Sequence, residues 1–207
     1  QKFSKQAKIV VIDNNSSDNS KKYIRKKFAN IDIIEHKKNH GFSGGYNKAL
    51  KKIKTKYVVL LNNDVIVSKN FLEPLILFLE KNKDFSVVQP KILDLNKKTH
   101  FEYSGAAGGF IDYNGIPFCR GRIGNTLEKD NGQYNNATSI FWASGSCFLI
   151  KLETFLKVGG FDENFNMHQE EIDLCWRIQG IGKKIGYCPS SKVFHYGGGT
   201  LSKSNYK

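Results

Sequence analysis

The front of the chain alternates between two kinds of segment, and this alternation limits the possible folds more than any other feature. "AKIVVID" (7–13), "IDIIEH" (31–36) and "KYVVLLN" (56–62) are short apolar runs rich in β-branched residues. Each is followed by a polar turn and a helically spaced segment: "KKYIRKKF" (21–28), "YNKALKKI" (46–53) and "FLEPLILFLEKN" (71–82). A run apolar on every residue is buried on both faces, and a helix crossover joins parallel strands. The pattern predicts βαβ units, hence an α/β fold with a Rossmann-like, mostly parallel central sheet covered on both faces.

From about residue 85 the rhythm loosens into "FSVVQPKIL", "HFEYSG" and "GGFIDY", divided by Gly and Asn turns. "SIFWASGSCFLIK" reads as a buried strand or hairpin, with Trp142 in the core and Trp176 of the later helix likewise. Helices follow at about 152–158 and 169–180, with a last short strand near "SKVFHY". No repeat or Pro-rich linker divides the chain. One domain over 1–207 is expected, with a nucleotide-binding half (about 1–90) and a mixed acceptor and catalytic half (about 91–207).

A chain of 207 residues can bury a continuous core. Its longest apolar run, "YVVLL", falls far short of the roughly 18 residues that span a bilayer. No apolar signal segment follows a basic start, so export is not indicated. Four cysteines without CxxC spacing read as reduced thiols of a cytosolic protein. The net charge of +13 comes mainly from dispersed lysines. It favours anionic partners such as nucleic acid, acidic lipid headgroups or phosphorylated small molecules, although a merely solubilising basic surface explains it equally well.

Chemistry in an open α/β sheet sits beyond the carboxyl ends of the strands. "VVIDNNSSD" places Asp13 at such an end. Helix capping explains Ser17 or Asp18, but not an acid at the last strand position. "NHGFSGGYN" brings Gly41, Gly44 and Gly45 to a helix start, where backbone amides approach a phosphate or sugar. It is neither a GxGxxG fingerprint nor a P-loop. "LLNNDV" sends Asp64 out at the same edge, and a hard cation takes carboxylate and phosphate oxygens. "HQEEIDLCWR" crowds Glu170, Glu171 and Asp173 into four positions. The helix dipole and an Asp173–Arg177 pair account for one or two of these acids. A carboxylate held near others has its proton affinity raised, which suits a general base. His195, at a strand end before "GGGT", is a packing residue or a metal ligand.

In this order, these segments together with "ASGSCFLIKLETFLKVGGFDENF" and "VFHYGGGT" resemble the family-2 glycosyltransferases of GT-A fold, especially the bacterial rhamnosyltransferase-like branch of polysaccharide and cell-wall biosynthesis. The resemblance covers nearly the whole chain. It implies that Asp13 hydrogen-bonds the donor's base, with Asn15, Asn39, Gly41, Gly44, Gly45, Asn47 and Asn63 around the donor. Ser144, Gly145 and Ser146 line the sugar or acceptor pocket. Asp64 is the metal-binding acid of a DxD motif reduced here to "NND", and His195 completes the shell of a divalent ion, Mn²⁺ or Mg²⁺. Glu171 takes the place of the catalytic base, with Glu170 and Asp173 beside it and Asp173 oriented by Arg177.

The implied reaction is inverting transfer from a nucleotide-diphosphate sugar, UDP- or dTDP-linked, to a hydroxyl of a glycan or lipid-linked acceptor. Nucleic acid is not an expected partner. The implied location is the cytoplasm, with peripheral contact at the anionic inner face of the plasma membrane. Relatives begin with another strand and helix and continue past His195, so the chain reads as cut at both ends. Two rivals stand beside this reading. One is a nucleotide-sugar-binding or nucleotidyltransferase-like protein of the same fold, although the expected Gly-rich loop with arginine is not visible. The other is a basic nucleic-acid binder, which needs more base-stacking aromatics than "IRKKF" offers.

Overall fold

The computed structural model describes residues 7–165 and 168–197. Strand β1 (Val10–Asp13) leads through helix α1 (Ser20–Lys27) to β2 (Asp32–Glu35), and the strands pair in parallel with Asp13 opposite Glu35. Helix α2 (Gly41–Leu50), β3 (Tyr57–Leu61), β4 (Val65–Val67), α3 (Leu72–Lys81) and β5 (Phe85–Asp94) complete the front half. Two small hairpins follow, β6 (Gly109–Ile111) with β7 (Pro117–Cys119) and β8 (Arg122–Ile123) with β9 (Thr126–Leu127). Then come β10 (Thr138–Ile140), β11 (Cys147–Lys151), α4 (Leu152–Lys157), α5 (Glu170–Gly180) and β12 (Lys184–His195).

The main sheet has the order β10-β12-β5-β11-β3, with β4 also paired to β12. It is mixed, and the expectation of a mostly parallel sheet is corrected. Within it β5 and β12 run parallel, while β11 lies antiparallel to both β3 and β5, and β12 is antiparallel to β10 and β4. The cause is an insertion. β3 and β5 are joined by the predicted crossover and do share a direction, but β11 enters between them from far along the chain. A helix crossover dictates the relative direction of two strands and leaves open what later pairs between them.

The sheet's two faces are legible in adjacent residues. Val87, Phe148 and Ile150 join the large core with Leu174 and Ile178 of α5, whereas Val88 and Leu149 pack with Leu75 and Leu79 of α3. Successive strand side chains point to opposite faces, so this alternation places α5 over one face and α3 over the other. Leu75 and Leu79 are fully buried. Trp142 is buried as expected and donates its indole N–H to the Phe110 carbonyl at 2.9 Å. Any Cβ on Gly109 would lie 2.0 Å from the Trp142 ring, so glycine is required there. The expectation for Trp176 is corrected. It is 53% exposed and meets Phe141 edge-on, because its helical position faces away from the sheet. All four cysteines are buried free thiols. Among the described residues, no helix is long and apolar enough to cross a membrane.

Candidate functional site

Asp13 closes β1 as a buried carboxylate, 4% exposed. Its Oδ1 accepts the Ser16 N–H at 3.3 Å, and Lys21 Nζ stands 3.3 Å from Oδ2. Burial works to raise the Asp13 pKa, but the Ser16 and Lys21 contacts outweigh it and hold the carboxyl below its ordinary value. Asp13 is therefore a permanent acceptor. Asn15, just beyond, takes a left-handed backbone (φ 66°).

The neighbouring Asn14 was not singled out from sequence, yet it ties β1 to α2. Its Nδ2 donates to Asn39 Oδ1 and to the Gly41 carbonyl, both at 2.8 Å, while its Oδ1 accepts the His40 N–H at 3.0 Å. Asn39 Oδ1 also accepts the Gly41 N–H at 2.9 Å. The sequence starts this helix at Tyr46, whereas α2 begins at Gly41 and takes in Gly44 and Gly45, so the three glycines do stand in the first turns of a helix. Gly41 has φ +68°, and its amide is already engaged by Asn39. Gly44 and Gly45 let Glu163 and Asn14 approach, since added Cβ atoms would meet them at 3.2 and 3.3 Å. Asn47 is buried, and its side-chain amide is committed to partners within the fold. Its amide brackets Phe161 and also donates to Glu163 Oε1 at 3.1 Å.

Asp64 follows β3 in a turn with Asn62 and the exposed Asn63. β12 ends at His195 directly opposite Val65 of β4, which brings Asp64 Oδ1 to 3.2 Å from His195 Nε2. On the other side of the ring, Glu102 Oε1 stands 3.2 Å from Nδ1. Beyond these ion-pair contacts, Asp64 Oδ1 and His195 Nδ1 are buried without a hydrogen-bond partner among the described residues. Burial works to lower the His195 pKa, but the carboxylates of Glu102 and Asp64 outweigh it and hold the ring's pKa above the ordinary histidine value. Two ligands at right angles on an ion with bonds of about 2.1 Å stand about 3.0 Å apart. The Asp64–His195 separation fits that spacing. Among the described residues no group of three or more His, Cys, Asp or Glu could hold a metal by itself. Gly198 and the residues after it, in the predicted "GGGT" segment, lie outside the described residues.

Helix α5 carries the three acids of its first turn after two consecutive left-handed residues, His168 (φ 72°) and Gln169 (φ 69°). Such backbone is strained by about 1–3 kcal/mol per residue and persists where the surroundings enforce it. Asp173 accepts from Arg177 Nε at 2.9 Å, and Arg177 donates onward to the Val158 carbonyl at 2.7 Å, which fastens the helix to the preceding turn. Glu170 is buried, and burial raises its pKa. Glu171 is pushed up to about 7 by burial and then by the charge of Glu170, and its Oε2 is buried without a hydrogen bond. Gly145 lies against it, with a built Cβ 3.7 Å from Glu171 Cδ. Ser144 and Ser146 turn inward. Their hydroxyls meet at 2.9 Å, and the Ser144 amide donates to the buried Gln89 at 2.7 Å.

These parts are physically joined. The Asn62 amide donates to the Ser146 carbonyl at 3.0 Å, linking the Asp64 turn to the loop that faces Glu171. Tyr46 of α2 reaches the Leu61 carbonyl at 3.4 Å, and Phe42 lies 3.8 Å from a Cβ on Gly145. A concavity of about 640 Å³ lined by Pro74, Leu77, Phe78, Thr138 and Cys188, among others, shares no residue with this edge. It is shallow and sits between α3 and β10. Sequence reasoning missed Glu102, Asn14, Gln89 and Glu163.

The family model for glycosyl transferase family 2 matches residues 1–159. Over 196 residues the chain is 29% identical to rhamnosyltransferase WbbL of Escherichia coli (strain K12), covering 91% of this chain and 72% of that protein. It is 26% identical over 196 residues to the low-salt glycan biosynthesis hexosyltransferase Agl10 of Haloferax volcanii, covering 91% of this chain and 59% of that one. Among solved structures, GalNAc-T7 with UDP, GalNAc and Mn²⁺ superposes with a TM-score of 0.68 at 18% identity, over 91% of this chain and 37% of the other. The mannosyltransferase PcManGT of Pyrobaculum calidifontis, in complex with GDP-Man and Mn²⁺, gives 0.64 at 14% identity, over 96% and 49%. The fold is GT-A, and the chain belongs to glycosyl transferase family 2.

Proposed function

We propose that this chain carries the catalytic machinery for inverting transfer of a hexosyl or rhamnosyl unit from a nucleotide-diphosphate sugar to a hydroxyl of a glycan or lipid-linked acceptor. The observation that carries the reading is Glu171, a half-buried carboxylate with one buried, unpaired oxygen and a pKa raised to about 7. A base poised near the working pH takes a proton most effectively. Glu171 removes the acceptor's hydroxyl proton, and the oxygen attacks the anomeric carbon from the face opposite the leaving group. The bond from that carbon to the diphosphate breaks, and its electron pair leaves with the nucleoside diphosphate. Glu170 supports the raised pKa by its charge, and Asp173 holds the helix through Arg177.

On the donor side, Asp13 accepts an N–H of the nucleobase, and its lowered pKa keeps it ionised. Asn15, Asn39 and Asn63, exposed at the same edge, are the donor-side polar groups, with Gly145 and its two serines behind the sugar. Asp64 and His195 are the residues to hold a Mn²⁺ or Mg²⁺ ion, the diphosphate completing its shell. When bound, such an ion offsets the charge that develops on the leaving group. With Asn62 where the motif usually has an acid, the protein contributes less charge and the affinity is modest. The names of the relatives, a rhamnosyltransferase and a hexosyltransferase, and of neighbours holding UDP, GDP-Man and Mn²⁺, support this reading. A UDP- or dTDP-sugar is the favoured donor. The basic surface supports action in the cytoplasm against an anionic membrane face. The test is incubation with UDP- and dTDP-sugars and a lipid-linked glycan acceptor, reading product configuration by NMR. Retained anomeric configuration, or an undiminished rate in Glu171→Gln, would overturn the proposal.

A further inference from the structure

Glu102 belongs to none of the motifs that mark the site, yet it is 4% exposed and faces His195. We propose that Glu102 is a positioning residue that fixes the His195 ring and its proton so that Nε2 is presented, beside Asp64, to a divalent cation. The inference rests on the metal reading above and concerns a residue which that reading does not use.

A neutral imidazole has one N–H and one lone pair, so it can ligate through Nε2 only when the proton is on Nδ1. His195 Nδ1 makes no directed hydrogen bond among the described residues, and the group facing it is Glu102 Oε1 at 3.2 Å. The charge of a carboxylate at that distance favours the tautomer with the proton on Nδ1, which leaves the Nε2 lone pair free and makes it a stronger donor.

The carboxylate is itself held in place. Its Oε2 accepts the Ser104 N–H at 2.7 Å, and the Glu102 N–H donates to the Ile92 carbonyl at 3.2 Å, at the end of β5. Gly197 closes the other side, with a built Cβ 3.4 Å from Oε1. The main chain of β5 therefore aims Glu102 at the end of β12, where His195 pairs with Asp94.

Charge counting points the same way. Two buried or half-buried carboxylates flank one ring. Among the described residues, even a protonated ring leaves one negative charge of the cluster unpaired, and holding such a charge partly out of water is costly. A purely structural ion pair needs one acid. A cation beside Asp64 accounts for the second.

The experiment uses Mn²⁺ as the metal and UDP as the nucleotide, with affinity read by electron paramagnetic resonance or calorimetry. ¹⁵N-histidine NMR of the metal-free protein at about pH 9, well above the ordinary histidine pKa, reads the tautomer. Asp64 stands as close to Nε2 as Glu102 does to Nδ1, so the tautomer is read in an Asp64→Ala background, where the expected signature is Nδ1–H on His195. In that background Glu102→Ala is expected to lose the preference, and by itself to bind Mn²⁺ about 10–100-fold more weakly. Glu102→Gln, which keeps an acceptor oxygen at the same reach, recovers part of both, and it carries the test alone if Glu102→Ala does not fold. A role confined to bracing residues 101–104 would lower the melting point and leave tautomer and affinity unchanged. Wild-type Mn²⁺ affinity in both folded Glu102 variants, with Asp64→Ala and His195→Ala weakened, would overturn the role of Glu102 and leave the metal site standing. Unchanged Mn²⁺ binding in Asp64→Ala and His195→Ala would overturn both.

Discussion

Asn47 brackets the main chain of Phe161 from both sides: its Nδ2 donates to the Phe161 carbonyl and its Oδ1 accepts the Phe161 N–H, each at 2.9 Å. An asparagine amide is the side chain that offers donor and acceptor in this spacing, and here it fastens α2 to the turn after α4. Asn47→Asp loses the donor and sets a second carboxylate against Glu163, while Asn47→Ala leaves both main-chain groups unpaired. Either is expected to destabilise the fold by about 1–3 kcal/mol. Urea denaturation would show this as a lowered midpoint, and an unchanged midpoint would refute the structural role.

Glu171 titrates in the wrong direction for stability, and the sign can be tested. Its folded pKa of about 7 lies above its ordinary 4.5, so the folded state binds more protons than the unfolded state between those values. Stability contributed by the protonated form is present at low pH and is lost as pH rises through about 7. The melting point of Glu171→Gln relative to wild type should therefore climb between pH 4.5 and 7. In the same window wild-type kcat/KM rises as the base loses its proton. The Gln variant is expected to lose about 10²–10⁴-fold in kcat. Calorimetry and initial rates over that range check both.

Lys91 is almost fully buried in β5 and donates to Asp130 at 2.7 and 2.9 Å and to Asn135 at 2.7 Å. It is a satisfied buried cation that pins the 130–135 loop across the sheet. Lys91→Met strands the Asp130 carboxylate and should cost about 3–5 kcal/mol. Adding Asp130→Asn removes the stranded charge and should recover much of the loss, a coupling that a double-mutant cycle measures directly.

Asp64→Ala removes one of the two donors proposed for the cation. A thermal-shift screen with UDP, dTDP, GDP and CDP, each with and without Mn²⁺, should show a metal-dependent rise for one nucleotide, because a ligand of the folded state alone raises its melting point. The rise should disappear in the variant. A rise independent of Mn²⁺ would argue against the Asp64–His195 site.

Much of the architecture was legible because local periodicity carries it. The α3, α4 and α5 segments, the order of the first strands and the Asp173–Arg177 pair all follow from spacing along the chain. Adjacency was not legible: nothing in "CFLIK" says that it enters between β3 and β5, because that choice depends on residues far away in sequence. The glycines of "GFSGG" read as loop because glycine is a poor helix former, whereas packing against Asn14 and Glu163 holds them in α2. Glu102 gave no local signal. It stands beside buried Phe101 in an irregular stretch, and its importance comes from a strand end almost a hundred residues later.

The placement of β11 has a consequence for biosynthesis. Val87 of β5 pairs with Ile150, and Val58 of β3 pairs with the same residue from the other side. Until the ribosome has released the chain through Lys151, both early strands present open edges with no partner for this part of the sheet. The two halves read from sequence are thus not successive folding units, and a growing chain stalled in between would expose the kind of edge that other chains and chaperones bind.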